Sequence, residues 1–278
     1  MRLTPLLLAA VLLAPAAPTS AVAAPAERRA PVVSTERPEA EGVARFSRIL
    51  RARPGRWTPR PTSTAYHWLR DGVPIRGATG RRLELGHRDV GTRIQVVVTA
   101  AAEGFEPAVA VSPGRWIRHR VERRRVATYS VQTRGRITTS VREFRRQAQQ
   151  TYDDARGWRG GGTVLRRVAR GGDFTLVLAE ASWLPRFSGT CSVMWSCRVG
   201  RFVVVNQARW LHASPAWNAA GRSVRDYRHL VVNHETGHWL GRGHVGCPGP
   251  GRLAPVMMQQ SKGTDGCRFN PWPRRGEL

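Results

Sequence analysis

The sequence predicts two folded domains, an all-β sandwich followed by an α+β domain. Short alternating segments separated by turns fill residues 43–115, which is typical of a β-sandwich. Residues 140–156 show the helical apolar period instead, and strand-like apolar runs follow them, which indicates helices packed on a sheet. The chain has 278 residues, of which 41% are hydrophobic, so it can form two globular cores.

A secretory signal peptide is predicted over residues 1–23. Arg2 precedes an apolar stretch at residues 6–13, and Ala21-Val22-Ala23 fits a small-x-small cleavage site. The apolar stretch is too short for a membrane span, so we expect a secreted protein, extracellular or associated with the cell wall. No membrane span is expected after cleavage, and an uncleaved anchor is the alternative. Residues 24–42 are rich in Ala, Pro and charge and predict a linker.

The sandwich at residues 43–115 is predicted strand by strand. Residues 64–70 alternate before Asp71-Gly72, a hairpin turn signal, and residues 92–98 are strongly strand-like. Trp68 would fill the space between two sheets. The stretch resembles the immunoglobulin-like modules of bacterial secreted and surface proteins. The residues that carry this resemblance are Pro54-Gly55-Arg56-Trp57, Trp68-Leu69-Arg70-Asp71-Gly72, Ile75, Gly77-Ala78-Thr79, Asp89-Val90-Gly91 and Val98-Thr99-Ala100. The resemblance implies a spacer, and attachment to cell wall or polymer is the alternative.

The second domain is predicted over residues 116–278. Residues 126–131 predict a strand, residues 140–156 a helix, and Phe174 to Ala179 a buried strand. A further strand is predicted at Phe202-Val203-Val204-Val205-Asn206. These strands and this helix predict a sheet packed on helices, which is an α+β arrangement.

Four cysteines lie in this second domain, at Cys191, Cys197, Cys247 and Cys267. An even number in an exported chain predicts two disulfides. Three connectivities are possible, and proximity along the chain favours Cys191–Cys197 and Cys247–Cys267. A cysteine metal site is the alternative, but none of the spacings forms a C-x-x-C pair.

A helix with metal-ligand spacing follows Ser223, which begins a capping-box pattern with Asp226. His234 and His238 are four residues apart, so both imidazoles project from one helix face. Gly241 would end the helix.

Beyond that turn, His244 completes the pattern H-E-x-x-H-x-x-G-x-x-H. Three ligands leave a fourth position for water, as at a catalytic zinc site, and Glu235 can reach that water without binding the metal. The sequence therefore predicts Zn²⁺ on His234, His238 and His244.

With the downstream Ala254-Pro255-Val256-Met257-Met258, this motif resembles the metzincin clan of zinc metallopeptidases. The resemblance implies a Met-turn at Met257, a hydrophobic floor under the ligands, with Met258 as the second choice. A Cys247–Cys267 bridge would enclose this turn in a loop of about 20 residues. The clan's substrate strand would correspond to Phe202 to Asn206, which we predict as an edge strand, with an interior strand as the alternative.

Residues from about 122 to 278 also resemble an actinobacterial family of exported zincin-like proteins of uncharacterised function. The residues that carry this resemblance are 191–197, Arg201-Phe202-Val203-Val204-Val205-Asn206, 234–244, Gly246-Cys247-Pro248-Gly249-Pro250-Gly251, Pro255-Val256-Met257-Met258-Gln259-Gln260 and Asn270-Pro271-Trp272-Pro273. This family implies no substrate.

The function predicted is a secreted zinc metallopeptidase in which a zinc-activated water attacks a peptide bond and Glu235 is the general base. The sequence departs from the clan at one point. In the clan a tyrosine that stabilises the oxyanion often follows the Met-turn, whereas this chain has Gln259 and Gln260 there. Either zinc alone polarises the carbonyl, or another donor such as an arginine assists. The alternatives are a zinc amidase acting on a cell-wall component, and a non-catalytic wall- or polymer-binding protein with a vestigial zinc site.

The net charge of +26 rests almost entirely on arginine, since Lys262 is the only lysine among 45 basic residues. The arginines are spread over the whole chain, which indicates an amino-acid bias rather than a nucleic-acid surface. We therefore expect no nucleic-acid partner. Peptide or protein substrates are expected, and anionic wall polymers are candidate partners outside the cell.

Overall fold

The computed structural model describes residues 29–278, and the predicted signal peptide lies outside them. The fold is sheet-rich with mixed α/β character. The strands, numbered β1 to β15, are Val33–Glu36, Glu39–Gly42, Ile49–Arg53, Arg56–Thr58, Ser63–Arg70, Val73–Pro74, Arg82–Glu84, Arg93–Ala101, Ala108–Val111, Arg115–Trp116, Arg125–Arg134, Thr163–Arg167, Phe174–Ala179, Cys197–Val199 and Phe202–Asn206. The α-helices, α1 to α4, are Val141–Asp153, Gln207–His212, Pro215–Ala219 and Val224–Trp239. None of the helices in this described part is long and apolar enough to cross a membrane.

Two antiparallel sheets share the first hydrophobic core. One has the order β2-β3-β7, and in the other β8 pairs with β5, β9 and β10. Trp68 is fully buried between them, and its indole Nε1 donates to the Gly80 carbonyl at 2.9 Å. The turn at Asp71 and Gly72, both with positive φ, joins β5 to β6. The core residues of this part run from Val32 to Ile117.

The described part of the predicted linker, residues 29–42, forms strands, so that prediction is wrong there. β1 pairs with β4, and β2 pairs with β3. Val32 and Ala40 are buried in the first core at 2% and 3% exposure. Val32 directly precedes β1, and Ala40 is the one buried residue of β2. The surrounding charged residues are exposed or half-buried, so the composition of this segment does not reveal these two buried side chains.

A five-stranded sheet follows, in the order β12-β11-β13-β15-β14. Its first four strands are parallel, and β14 runs antiparallel to β15. Strand β13 is buried along its length. Leu176 and Leu178 contact the core under α1 and α4, while Val177 contacts a smaller cluster on the opposite face. Both faces of the central strands are therefore covered, as is typical of parallel sheets.

Phe202–Asn206 is an interior strand, so the prediction of an edge strand there is wrong. It lies between β13 and β14, and Val203, Val204 and Val205 are all fully buried. A continuous apolar run of this kind is typical of a strand covered on both faces. The sheet edge next to it is β14, a strand of three residues that carries too little pattern to be recognised in the sequence, and the opposite edge is β12.

Candidate metal centre

Helix α4 carries the predicted metal ligands. Ser223 is its N-cap, and its hydroxyl accepts from the Asp226 amide at 3.1 Å. The helix ends at Trp239, and Gly241 follows with a φ of +87°, a conformation that glycine adopts without strain. The chain then returns to bring His244 beside the helix.

The three predicted histidine ligands converge on one point. His234 Nε2 lies 3.2 Å from His238 Nε2 and 3.3 Å from His244 Nε2, and the third separation is 3.0 Å. Nitrogens at about 2.0–2.1 Å from a tetrahedral zinc lie about 3.3 Å apart, so the geometry fits such an ion closely. Among residues 29–278, His234, His238 and His244 form a cluster whose ligand atoms lie close enough together to hold one metal ion.

The outer nitrogens of two rings fix their tautomers. His234 Nδ1 donates to the Val256 carbonyl at 2.8 Å, and His238 Nδ1 donates to the Arg242 carbonyl at 2.9 Å. Since a carbonyl only accepts, the proton sits on Nδ1 in both rings and each Nε2 presents a lone pair. Two lone pairs directed at each other repel unless a cation lies between them. This arrangement of backbone acceptors behind the ligands is the support that metal-binding histidines require.

Burial keeps these imidazoles neutral, which is the form that binds metal. It lowers the pKa of His234 to about 3, and it also lowers the pKa values of His238 and His244. Glu235 is 6% exposed, and burial raises the pKa of its carboxyl to about 8, against the opposing effect of Arg198.

Met257 lies beneath the ligand helix, at 1% exposure in the main core. A Cβ added to Gly237 would lie 2.3 Å from Met257 Sδ and 2.8 Å from a ring carbon of Trp158, so only glycine fits between the two ligands of the helix. Met258, the second choice, lies instead in a small cluster with Ala254 and the Cys247–Cys267 pair, and it borders the cleft. The role of Gly237 was not predicted, because its contacts are made with residues far along the chain.

The three histidines and Glu235 line a cleft of about 600 Å³. Its other walls come from the segment before β15 and the segment after Met258, and they include Ser192, Trp195, Arg198, Gln259, Ser261 and Lys262. Arg198 and Lys262 are the cations among the described lining residues, and Glu235 is the acidic one. Arg198 lies on the edge strand β14, and its Nη2 donates to the His238 carbonyl at 2.9 Å. Nothing in the sequence pattern singled out Arg198 from the other arginines.

Gln260 is not a replacement for the missing tyrosine. It is 1% exposed, and its amide donates to the carbonyls of Pro255 and Asn270 while accepting from the Asn270 amide. Gln259 is exposed and accepts from Lys262 Nζ at 3.2 Å. No tyrosine lines the cleft in the described part of the chain.

Both disulfides have the pairing that chain proximity favours, Cys191–Cys197 and Cys247–Cys267. The first closes a ring whose residues Ser192, Trp195 and Ser196 form one cleft wall. The second closes a loop of 20 residues around Met257. Disulfides of this kind fit an extracellular protein.

Fold and site together define a sheet-rich α/β chain with a three-histidine centre at the floor of a cleft. Residues 97–270 match the family described as "Protein of unknown function (DUF3152)". This match covers more than half of the chain, so the chain belongs to that family. It begins within β8 and includes the whole ligand segment. No curated protein and no solved structure matches the chain.

Proposed function

We propose that this protein is a secreted zinc-dependent peptidase of the metzincin type, preceded by an immunoglobulin-like module. The observation that carries the proposal is the convergence of three histidine Nε2 atoms, 3.0–3.3 Å apart, beside a buried glutamate in a cleft. His234, His238 and His244 would hold the ion. When bound, zinc would supply a Lewis acid that polarises the scissile carbonyl and acidifies a water molecule.

Glu235 is the proposed general base. It lies between the two helical ligands in sequence and borders the same cleft. A cation held on the neighbouring histidines would favour the ionised form of Glu235 over the neutral form that burial alone favours. The ionised carboxylate would accept a proton from water and pass that proton to the nitrogen of the leaving amine. Glu235 is 6% exposed, so little solvent would compete with a bound water for its carboxylate.

Arg198 is the proposed partner of the developing negative charge, in the place of the clan's tyrosine. Its guanidinium has five donor hydrogens, and the bond to His238 O accounts for one of them. That bond holds the side chain against the end of the ligand helix, and Arg198 is one of the residues that line the cleft. A cation held there would stabilise an oxyanion by preorganised charge.

The edge strand β14 is the proposed docking site for an extended peptide. It pairs with β15 on one side only, and Cys197 and Arg198 line the cleft. An unpaired strand edge offers backbone donors and acceptors to a substrate by β-addition. We therefore assign to β14 the substrate-binding role that the sequence suggested for residues 202–206.

The charges of the cleft favour acidic peptides. Arg198 and Lys262 are the cations of the described lining, and its single carboxylate, Glu235, is buried. The net charge of +26 adds a field of the same sign. An acidic side chain next to the scissile bond would meet a counter-charge, whereas a basic one would be repelled.

The proposal is tested by zinc analysis and a peptide-library digest of the purified chain, with and without chelator. We expect about one zinc per chain, and cleavage that stops with chelator, returns with zinc and is enriched at acidic residues. His238→Ala should lose the metal and the activity, while His212→Ala, on an exposed position of α2, should retain both. A chain without zinc, or cleavage indifferent to chelator, would overturn the proposal.

A further inference from the structure

Glu277 makes an unusual set of contacts beneath the metal centre. Its carboxylate accepts from the Met257 amide at 2.9 Å through Oε1, and from the Val256 amide at 3.0 Å through Oε2. The Arg274 amide donates to the same Oε2 at 2.7 Å, and the Glu277 amide donates to the Arg274 carbonyl at 2.9 Å. These bonds fix the orientation of a half-buried carboxylate against two backbone groups that are themselves buried.

One of these backbone groups leads directly to a zinc ligand. The Met257 N–H and the Val256 C=O belong to the same peptide group, and that carbonyl accepts from His234 Nδ1 at 2.8 Å. A carboxylate that accepts from the N–H end of an amide polarises the amide, which makes its oxygen a stronger acceptor. A stronger acceptor on Nδ1 makes the opposite nitrogen of the ring, Nε2, more basic.

The second helical ligand provides an internal comparison. His238 Nδ1 also donates to a backbone carbonyl, that of Arg242, at 2.9 Å. The N–H of the same peptide group belongs to Gly243, and no carboxylate of the described residues accepts from it. The two rings thus have the same kind of acceptor, but only the acceptor of His234 has a carboxylate behind it.

We propose that Glu277 is a positioning residue that orients His234 and raises its affinity for metal through the peptide group between Val256 and Met257. This inference rests on the proposed zinc site and deepens it. Glu277 lies outside the residues that match the family and 43 positions after His234, so no local motif links the two.

The test is zinc affinity, measured by competition with a chelator, in Glu277→Gln. The substitution keeps the size of the side chain but removes the charge and one acceptor, so we expect zinc binding to weaken about tenfold. The matched control is Glu180→Gln, because Glu180 also accepts from a backbone amide, that of Arg136 at 2.7 Å, but does not line the cleft. Its zinc affinity should stay within about twofold of wild type. Equal affinities in wild type and Glu277→Gln would overturn the proposal.

A second measurement needs no variant that could fail to fold. In the wild-type chain labelled with ¹⁵N-histidine, the Nδ1–H proton of His234 should resonate downfield of that of His238, because its hydrogen bond is stronger. If the two protons share one chemical shift, or that of His238 lies further downfield, the proposed effect of Glu277 on His234 is wrong. If the chain takes up no zinc, the proposed function fails. The comparison of the two protons in the metal-free chain still decides whether Glu277 strengthens the hydrogen bond of His234.

Discussion

At the residue scale, Glu235 is set apart by its surroundings. It is 6% exposed, and it shares the cleft floor with three imidazoles. A carboxylate without a hydrogen-bonded partner is costly to bury, so a purely structural role would be unfavourable for it. The proposed role in proton transfer would explain why a carboxyl group is buried at this position. The substitution Glu235→Gln separates that role from metal binding.

Glu235→Gln should retain zinc and lose hydrolysis. The amide has the same shape but cannot accept the proton, and general-base catalysis contributes about 10²–10⁴ to the rate. We expect kcat/KM to fall by at least about a hundredfold while zinc content stays at the wild-type level. The control is Glu103→Gln, at an exposed position outside the cleft, which should leave both values unchanged. Full activity in Glu235→Gln would contradict the role of the glutamate.

Arg198→Ala should lower kcat by about tenfold to a hundredfold, because the cleft loses its charged donor to the oxyanion. Arg198→Lys should recover part of this loss, since it restores the charge without the planar fork. Arg201→Ala is the matched control, because Arg201 lies in the turn between the same strands and donates to Gly172 O instead. Zinc content is measured alongside, since Arg198 also holds the end of α4. An unchanged kcat would show that zinc alone polarises the carbonyl.

At the element scale, the site depends on close packing between α4 and the segment at residues 254–258. His234 bonds to Val256 from above, the Val245 amide donates to the Met257 carbonyl at 3.3 Å, and Met257 fills the space that Gly237 leaves. The helix and the segment beneath it therefore support each other, and a change at their contact is expected to affect stability and metal binding together.

Gly237→Ala should destabilise the protein, although alanine is the better helix former. The added Cβ would lie 2.3 Å from Met257 Sδ, so overpacking should cost about 1–3 kcal/mol. Gly243→Ala is the control, because no heavy atom lies within 4 Å of its Cβ and its backbone is unstrained for alanine. Urea unfolding of both variants checks the prediction. A Gly237→Ala protein as stable as wild type would show that Met257 can move aside.

The Cys247–Cys267 disulfide should contribute more stability than Cys191–Cys197. Its loop spans 20 residues against 6, and the chain-entropy model assigns about 3 and about 2 kcal/mol to loops of these lengths. Replacing each pair by serine and measuring the unfolding midpoint tests the order. The shorter ring should instead affect cleavage specificity, because Ser192 and Trp195 within it line the cleft. A larger loss of stability from the shorter loop would contradict the entropic account.

Local patterns predicted the elements of the site better than the contacts between them. The cap at Ser223, the ligand spacing and the turn at Gly241 all lie within a segment of 22 residues. The structure has the cap, the helix and the turn at the predicted positions. Glu277 and Arg198 escaped prediction because their partners lie far along the chain. The strands of residues 33–42 escaped because their one-sided burial leaves a polar composition.

At the scale of the whole molecule, several of the many arginines make contacts that hold the fold together. Arg115 donates to the carbonyls of Ala40 and Gly42, and Arg228 bonds to Glu143 while lying 4.7 Å from the Trp210 ring. Guanidinium groups used in this way are structural, because they satisfy carbonyls and cover aromatic faces. The net charge of +26 is therefore a poor guide to a nucleic-acid partner, whereas the two cations that line the cleft bear on the substrate that we propose.

Acid should destabilise the molecule through His229, a buried residue of α4. This side chain is 5% exposed, its Nδ1 lies 2.8 Å from Thr151 Oγ1, and burial lowers its pKa to about 4, with Arg225 acting in the same direction. In the unfolded chain the histidine titrates near its ordinary value of 6.5. The unfolded state therefore binds more protons between these two values, so stability present above pH 6.5 is lost as the pH falls toward 4.

His229→Gln should remove this part of the pH dependence. Over that window the free energy of unfolding of wild type should fall by up to about 3 kcal/mol more than that of the variant. Urea unfolding with chelator present keeps metal occupancy equal, and the difference between the two proteins cancels the other titrating groups. His119→Gln is the comparison, because burial also lowers the pKa of His119 to about 4, so its curve should flatten as well. Parallel curves for wild type and His229→Gln would mean that His229 is protonated without cost, and that the packing around it opens at acid pH before the rest of the fold.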